Sequence, residues 1–201
     1  MKITLKTSVL ATLIMCNGWM TQPASSHTLE ECLVDPVGQE ATHHANCINL
    51  ANKTGDKKLQ FQLAIAYLSG TGVPEDRAKA AVWLRKAASQ GLADAQYILA
   101  RMHYFGDGVP QDYAKAAEWY RKVALQGDSA AQYLLARMHY DGDGVPQDYI
   151  TAYMWVNMAA ASGDQIPKDL RDEILQQLTP EQVTEGQKMT RGWLAAYPPR
   201  N

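Results

Sequence analysis

The sequence is short of the residues that carry most covalent and phosphate chemistry. Its 201 residues include three cysteines, five histidines and two phenylalanines. It has no cluster of lysine and arginine, and its formal charge is -2. Nucleic-acid binding through phosphates needs a basic patch, so that class is excluded. The motifs of the common hydrolases and nucleotide binders are also missing: no G-x-S-x-G, no H-E-x-x-H, no P-loop and no Ser-x-x-Lys. No cofactor is expected. What is present is 46% apolar and 20% charged residues, the balance of a folded, soluble chain.

The first residues read as an export signal. Lys2 and Lys6 are followed by an apolar stretch at 9–15, which is too short to span a bilayer. Ala24, Ser25 and Ser26 then offer small residues for cleavage, with His27 as the new N-terminus. Residues 1–26 are therefore expected to be a signal peptide, and the mature chain to be periplasmic or secreted with no integral membrane segment. Cys16 follows Met15, a poor match to the small residue that a lipidation signal wants. Removing the signal takes two lysines and no acid, which leaves a charge of -4. It also leaves two cysteines, Cys32 and Cys47, and an even count in an oxidising compartment argues for a disulfide. That bond would close a loop of about 16 residues, worth about 3 kcal/mol in the chain-entropy picture.

The organising signal is a 36-residue period. Gly55, Gly91, Gly127 and Gly163 keep it, and so do Trp83, Trp119 and Trp155. The turn Gly70-Thr71-Gly72-Val73-Pro74 recurs as Gly106-Asp107-Gly108-Val109-Pro110 and as Gly142-Asp143-Gly144-Val145-Pro146. The second and third repeats share 21 of 36 residues. Each repeat reads as a helix pair. In the second, Ala95, Leu99, Met102 and Gly106 give helix A one inward face. The turn glycines end it, and Pro110 keeps Val109 extended. Helix B is expected over residues 111–126, with Ala116, Trp119, Tyr120 and Val123 on its apolar side.

The pattern A-Q-Y-x-L-A-R-M-H-Y-x-G-D-G-V-P-Q-D-Y, then A-x-x-W, then Gly, resembles the Sel-like repeat (SLR) family, a relative of the tetratricopeptide repeats. It departs from the family at Ala100 and His103, where Gly and Tyr are usual. The resemblance implies an all-α fold, a right-handed solenoid of helix pairs, and an adaptor role. Residues 55–163 would form three repeats. Residues 27–54 would be an N-terminal cap, since Cys47 and Ala51 fall one period before Trp83 and Ala87. Residues 164–201 would be C-terminal capping helices, because end repeats must cover an apolar face. There, 167–178 reads as one helix. Thr179, Pro180 and Gln182 sit as N-cap, N1 and N3 of another that runs to Ala196 and stops before Pro198 and Pro199.

No catalytic or metal site is expected. His43 and His44 diverge on a helix, and His103 and His139 lie one repeat apart, too far to share a zinc ion. Asp141-Gly142-Asp143-Gly144 departs from a calcium loop at Val145 and Ala152. Candidate partner contacts lie opposite the inward face of each helix A. They are Phe61, Ile65 and Leu68, then Tyr97, Arg101 and Tyr104, then Tyr133, Arg137 and Tyr140. Two readings stay open: packing against helix B, or a groove for another protein, which the repeated Tyr and Arg favour. The expected function is a protein–protein interaction scaffold without catalysis. The resemblance also implies two alternatives, an immunity protein against a periplasm-delivered toxin and a β-lactam-binding or hydrolysing enzyme. The enzyme is opposed by the lack of a disulfide within each repeat.

Overall fold

A computed structural model of the chain describes residues 31–32, 41–161 and 168–196. The expected signal segment and the closing prolines Pro198 and Pro199 lie outside them. The described residues are helical throughout, with turns between, and contain no strand. Besides the helical residues 31–32, the described residues form nine helices in order: α1 (Ala41–Thr54), α2 (Lys57–Ser69), α3 (Arg77–Ser89), α4 (Ala93–Phe105), α5 (Tyr113–Ala124), α6 (Ser129–Asp141), α7 (Tyr149–Ala161), α8 (Lys168–Leu175) and α9 (Pro180–Ala196). Helices α2/α3, α4/α5 and α6/α7 are the A and B helices of three consecutive hairpins, and each hairpin packs on the next.

Local chemistry sets these boundaries. Gly70, Gly106 and Gly142 end the A helices with φ of 68°, 72° and 80°, a left-handed conformation that costs glycine nothing. The aspartate after each Val-Pro pair starts the B helix. Asp76 accepts from the Lys79 amide, Asp112 from the Lys115 amide, and Asp148 from the Ile150 and Thr151 amides. This capping moves the start of α5 to Tyr113, two residues after the expected Gln111. Its end is Ala124 rather than Gln126, because residues 125–127 form a turn. At the C-terminus, the Thr179 amide donates to Gln182 Oε1 at 2.9 Å. The Gln182 amide donates back to Thr179 Oγ1 at 3.3 Å, which completes a capping box.

The second glycine of the turn joins neighbouring repeats. A Cβ at Gly108 would lie 2.6 Å from Arg77 Cβ and 2.7 Å from its backbone. At Gly144 it would lie 2.2 Å from the Tyr113 carbonyl carbon. Each turn therefore seats against the first residues of the preceding B helix. Arg77 also pairs with Asp107 across that contact. Between the repeats runs a ladder of glutamines. Gln60, Gln96 and Gln132 are buried at the repeat period. Gln90 Nε2 donates to Gln60 Oε1 at 2.9 Å, and Gln126 Nε2 to Gln96 Oε1 at 2.8 Å. Gln96 and Gln132 donate in turn to the Ala88 and Ala124 carbonyls. The Gln96 and Gln132 amide donors therefore have partners, while the buried Gln132 Oε1 has none among the described residues.

The core forms two stretches that share Trp119. It is built largely of alanine and leucine, which let the helices approach closely. Trp83 and Trp155 are buried, while Trp119 stays half-buried under Lys122, whose Nζ stands 3.9 Å from the ring centroid. Helix α7 carries apolar residues all round, because α6 covers one side and α8 and α9 the other. Gly186 brings α9 onto Tyr153, where a Cβ would meet Cδ1 at 2.8 Å. At the opposite end, α1 packs on α2, and Cys47 on α1 is disulfide-bonded to Cys32.

Candidate protein-binding face

Helices α2, α4 and α6 are the A helices of successive repeats, and side chains from neighbouring A helices frame two shallow depressions. The first, of about 340 Å³, lies between Phe61, Tyr97, Ile98 and Asp128. The second, of about 290 Å³, lies between Leu68, Ile98, Arg101, Met102 and Phe105, with Arg77 and Asp107 at its edge. Phe105 is 65% exposed, the most exposed large apolar side chain among the described residues. Arg101 is exposed and makes no ion pair with any described residue.

The nine expected contact residues divide between these depressions and the packing between helices. Phe61 and Tyr97 line the first depression, and Leu68 and Arg101 the second. Ile65 is half-buried and borders neither. The tyrosines are half-buried and serve packing as well as surface. Tyr97 meets Tyr120 edge-on at 5.7 Å, Tyr104 meets Tyr113 at 5.0 Å, and Tyr140 tilts against Tyr149 at 5.5 Å. In each pair the partner sits on helix B of the same repeat. The Tyr104 hydroxyl also donates to Asp143 at 3.2 Å in the next turn. Burial and then that carboxylate push its pKa above the usual phenol value. Tyr133 is half-buried against the core. Arg137 is held by Asp141, Nε to Oδ2 at 2.6 Å, an i,i+4 pair that raises its pKa. The two rows that look alike in sequence thus differ: Arg101 is available and Arg137 is engaged.

Ile98 and Phe105, which line the second depression, are not among the expected contacts. Their signal was the spacing 98, 101, 105, an i, i+3, i+7 stripe that runs beside the one chosen. Elsewhere, His103 and His139 are each tucked behind a Gly-rich turn with a buried Nδ1 that has no hydrogen-bond partner. Burial lowers the pKa of both. The Pro110 and Pro146 carbonyls, and the nearby Asp112 and Asp148, oppose the shift. His139 lines a third depression of about 500 Å³ with Trp155, Met189 and Trp193, between α5, α7 and α9. Among the described residues, one group could hold a metal ion: Cys32, His43 and Cys47, whose donor atoms lie within 4.8 Å of one another.

The repeats themselves are matched by the Sel1 repeat model at residues 58–92, 93–128 and 129–164. The chain belongs to the Sel1 repeat family. Two solved Sel1-type structures resemble it. One is c5321, a protective antigen present in uropathogenic Escherichia coli strains and displaying an SLR fold. It is 29% identical with a TM-score of 0.64, over 85% of this chain and 34% of that one. The other is a Sel1 repeat protein from Oxalobacter formigenes, 30% identical with a TM-score of 0.58, over 66% of this chain and 56% of that one. The chain thus spans about a third of the first and just over half of the second. A comparison with curated proteins gives no match. Sel1 repeat proteins generally mediate protein–protein interactions and are typically non-catalytic scaffolds. No helix among the described residues is long and apolar enough to cross a membrane.

Proposed function

We propose that this Sel1 repeat chain is a non-catalytic, protein-binding scaffold of the periplasm or of the secreted fraction. Its partner docks on the A-helix face between the first and second repeats. The observation that carries this reading is the patch made by Phe105, Ile98 and Arg101: an exposed aromatic, an apolar neighbour and a cation without an ion-pair partner among the described residues. Aromatic and arginine side chains set in shallow depressions are the usual anchors of protein interfaces. The export reading is supported by the order of charge, apolar run and small residues at the N-terminus, and by the disulfide.

The test is site-specific photocrosslinking in the native cell. A photoreactive phenylalanine at position 105 is compared with one at Val82, which is exposed on helix α3. A discrete adduct from position 105, and none from position 82, supports the face. Adducts from position 82 alone contradict it. Fractionation and mass spectrometry of the same material test location. A chain starting near His27 in the periplasm or medium is expected, and uncleaved cytoplasmic chain would contradict export.

A further inference from the structure

The N-terminal cap brings together three soft or borderline donors whose arrangement the disulfide alone does not require. His43 and Cys47 are one helical turn apart on α1, so their side chains share a face. His43 Nε2 stands 3.4 Å from Cys47 Sγ. Cys32 joins them from the other side of the disulfide, and both cysteines are fully buried.

We propose that in its reduced form this cap is a zinc-class metal site, with Cys32, Cys47 and His43 as ligands. The nitrogen-to-sulfur distance is already right. Zinc bonds of ~2.0 Å to nitrogen and ~2.3 Å to sulfur at tetrahedral angles place the two ligand atoms about 3.5 Å apart. Reduction alone frees the sulfurs to separate. A dithiol reductant supplies two electrons and two protons, the S–S bond breaks to two thiols, and the dithiol becomes its own disulfide. Zinc then binds both thiolates and the neutral imidazole, and two protons leave. Three protein ligands leave the fourth tetrahedral position to water. The metal would thus cross-link the same two points as the disulfide and hold α1 in place wherever the bond is not formed. Two thiolates and one imidazole favour zinc or cobalt over magnesium or calcium, which prefer oxygen.

The test uses the full chain carrying Cys16→Ser, so that only these two thiols remain. The protein is reduced with a dithiol without oxygen, freed of reductant and titrated with cobalt. The expected result is one cobalt per chain, with a thiolate-to-cobalt charge-transfer band and tetrahedral d–d bands that zinc abolishes. The oxidised chain should give neither band. His43→Gln should weaken binding at least about tenfold, the loss typical even of an outer partner, and should alter the d–d bands. Circular dichroism checks that the helices persist, and Cys32→Ser gives a second variant that should lose the thiolate band's full intensity. A reduced Cys16→Ser chain without the charge-transfer band overturns the proposal. So does a folded His43→Gln chain with unchanged affinity and spectrum.

Discussion

The second and third repeats share 21 of 36 residues, yet their A-helix faces are chemically different. One position decides it. In the second repeat, position 105 is phenylalanine, exposed beside a cation that has no ion-pair partner among the described residues. In the third, the equivalent position is Asp141, and it holds Arg137 in an i,i+4 ion pair. Aspartate spends the arginine locally, whereas phenylalanine leaves it available beside an apolar surface. A row of identical residues at the repeat period is therefore no proof of a row of identical functions. The buried sides of the two repeats differ too. Trp155 is buried where α8 and α9 pack on α7, while its counterpart Trp119 is half open under Lys122.

The largest expected effect breaks the joint between these two repeats. Gly144→Ala puts a Cβ 2.2 Å from backbone at a φ of 68°, and should cost about 3–5 kcal/mol from strain and overpacking together. Gly142→Ala, two residues earlier, meets its nearest atom at 3.4 Å and should cost about 1–2 kcal/mol. Denaturant unfolding measures both, and equal costs would remove the inter-repeat role given to the second glycine. The tryptophans sharpen the contrast next. Trp155→Ala should destabilise by about 3–5 kcal/mol and Trp119→Ala by about 2 kcal/mol. The same melts decide, and a larger cost at Trp119 would contradict the burial pattern.

Much of this architecture was legible in the sequence because its causes are local. The 36-residue spacing, the left-handed glycines at 70, 106 and 142, and the capping box at Thr179 and Gln182 depend on a few neighbouring residues. The features that were not legible depend on the next repeat. Gln60, Gln96 and Gln132 are polar side chains with no local signal of burial, and they enter the core because neighbouring helices supply hydrogen-bond partners. Gly108 and Gly144 read as turn residues, and their second role needs a B helix from the repeat before. The availability of Arg101 could have been read by comparing positions 105 and 141, which the shared Tyr and Arg rows obscured.

A smaller effect concerns pH. His103 and His139 have folded-state pKa values lowered chiefly by burial, so the unfolded chain takes up protons first as pH falls. Their stabilising contribution is complete above the ordinary histidine pKa of about 6.5 and fades below it, by up to about 1.4 kcal/mol per pH unit for each histidine. Tyrosine occupies the equivalent buried site in the first repeat, Tyr67. His103→Tyr together with His139→Tyr should therefore flatten the stability profile between pH 7 and pH 5, measured by thermal melts at each pH. An unchanged slope would mean that other groups carry the acid sensitivity.

The most direct test of the central claim is an affinity measurement on the partner recovered by crosslinking at position 105. Titration calorimetry compares the wild-type chain with Arg101→Ala, Phe105→Asp and Arg137→Ala. Loss of either second-repeat group should weaken binding by about 1–2 kcal/mol, with Phe105→Asp also recreating the third repeat's internal ion pair. Arg137→Ala should change affinity by less than about 0.5 kcal/mol, and all three chains should melt as the wild type does, since the substitutions lie on the surface. The contradicting result is an affinity that survives Arg101→Ala and Phe105→Asp but falls with Arg137→Ala. That outcome would move the partner to the third repeat and show that its ion pair opens on binding.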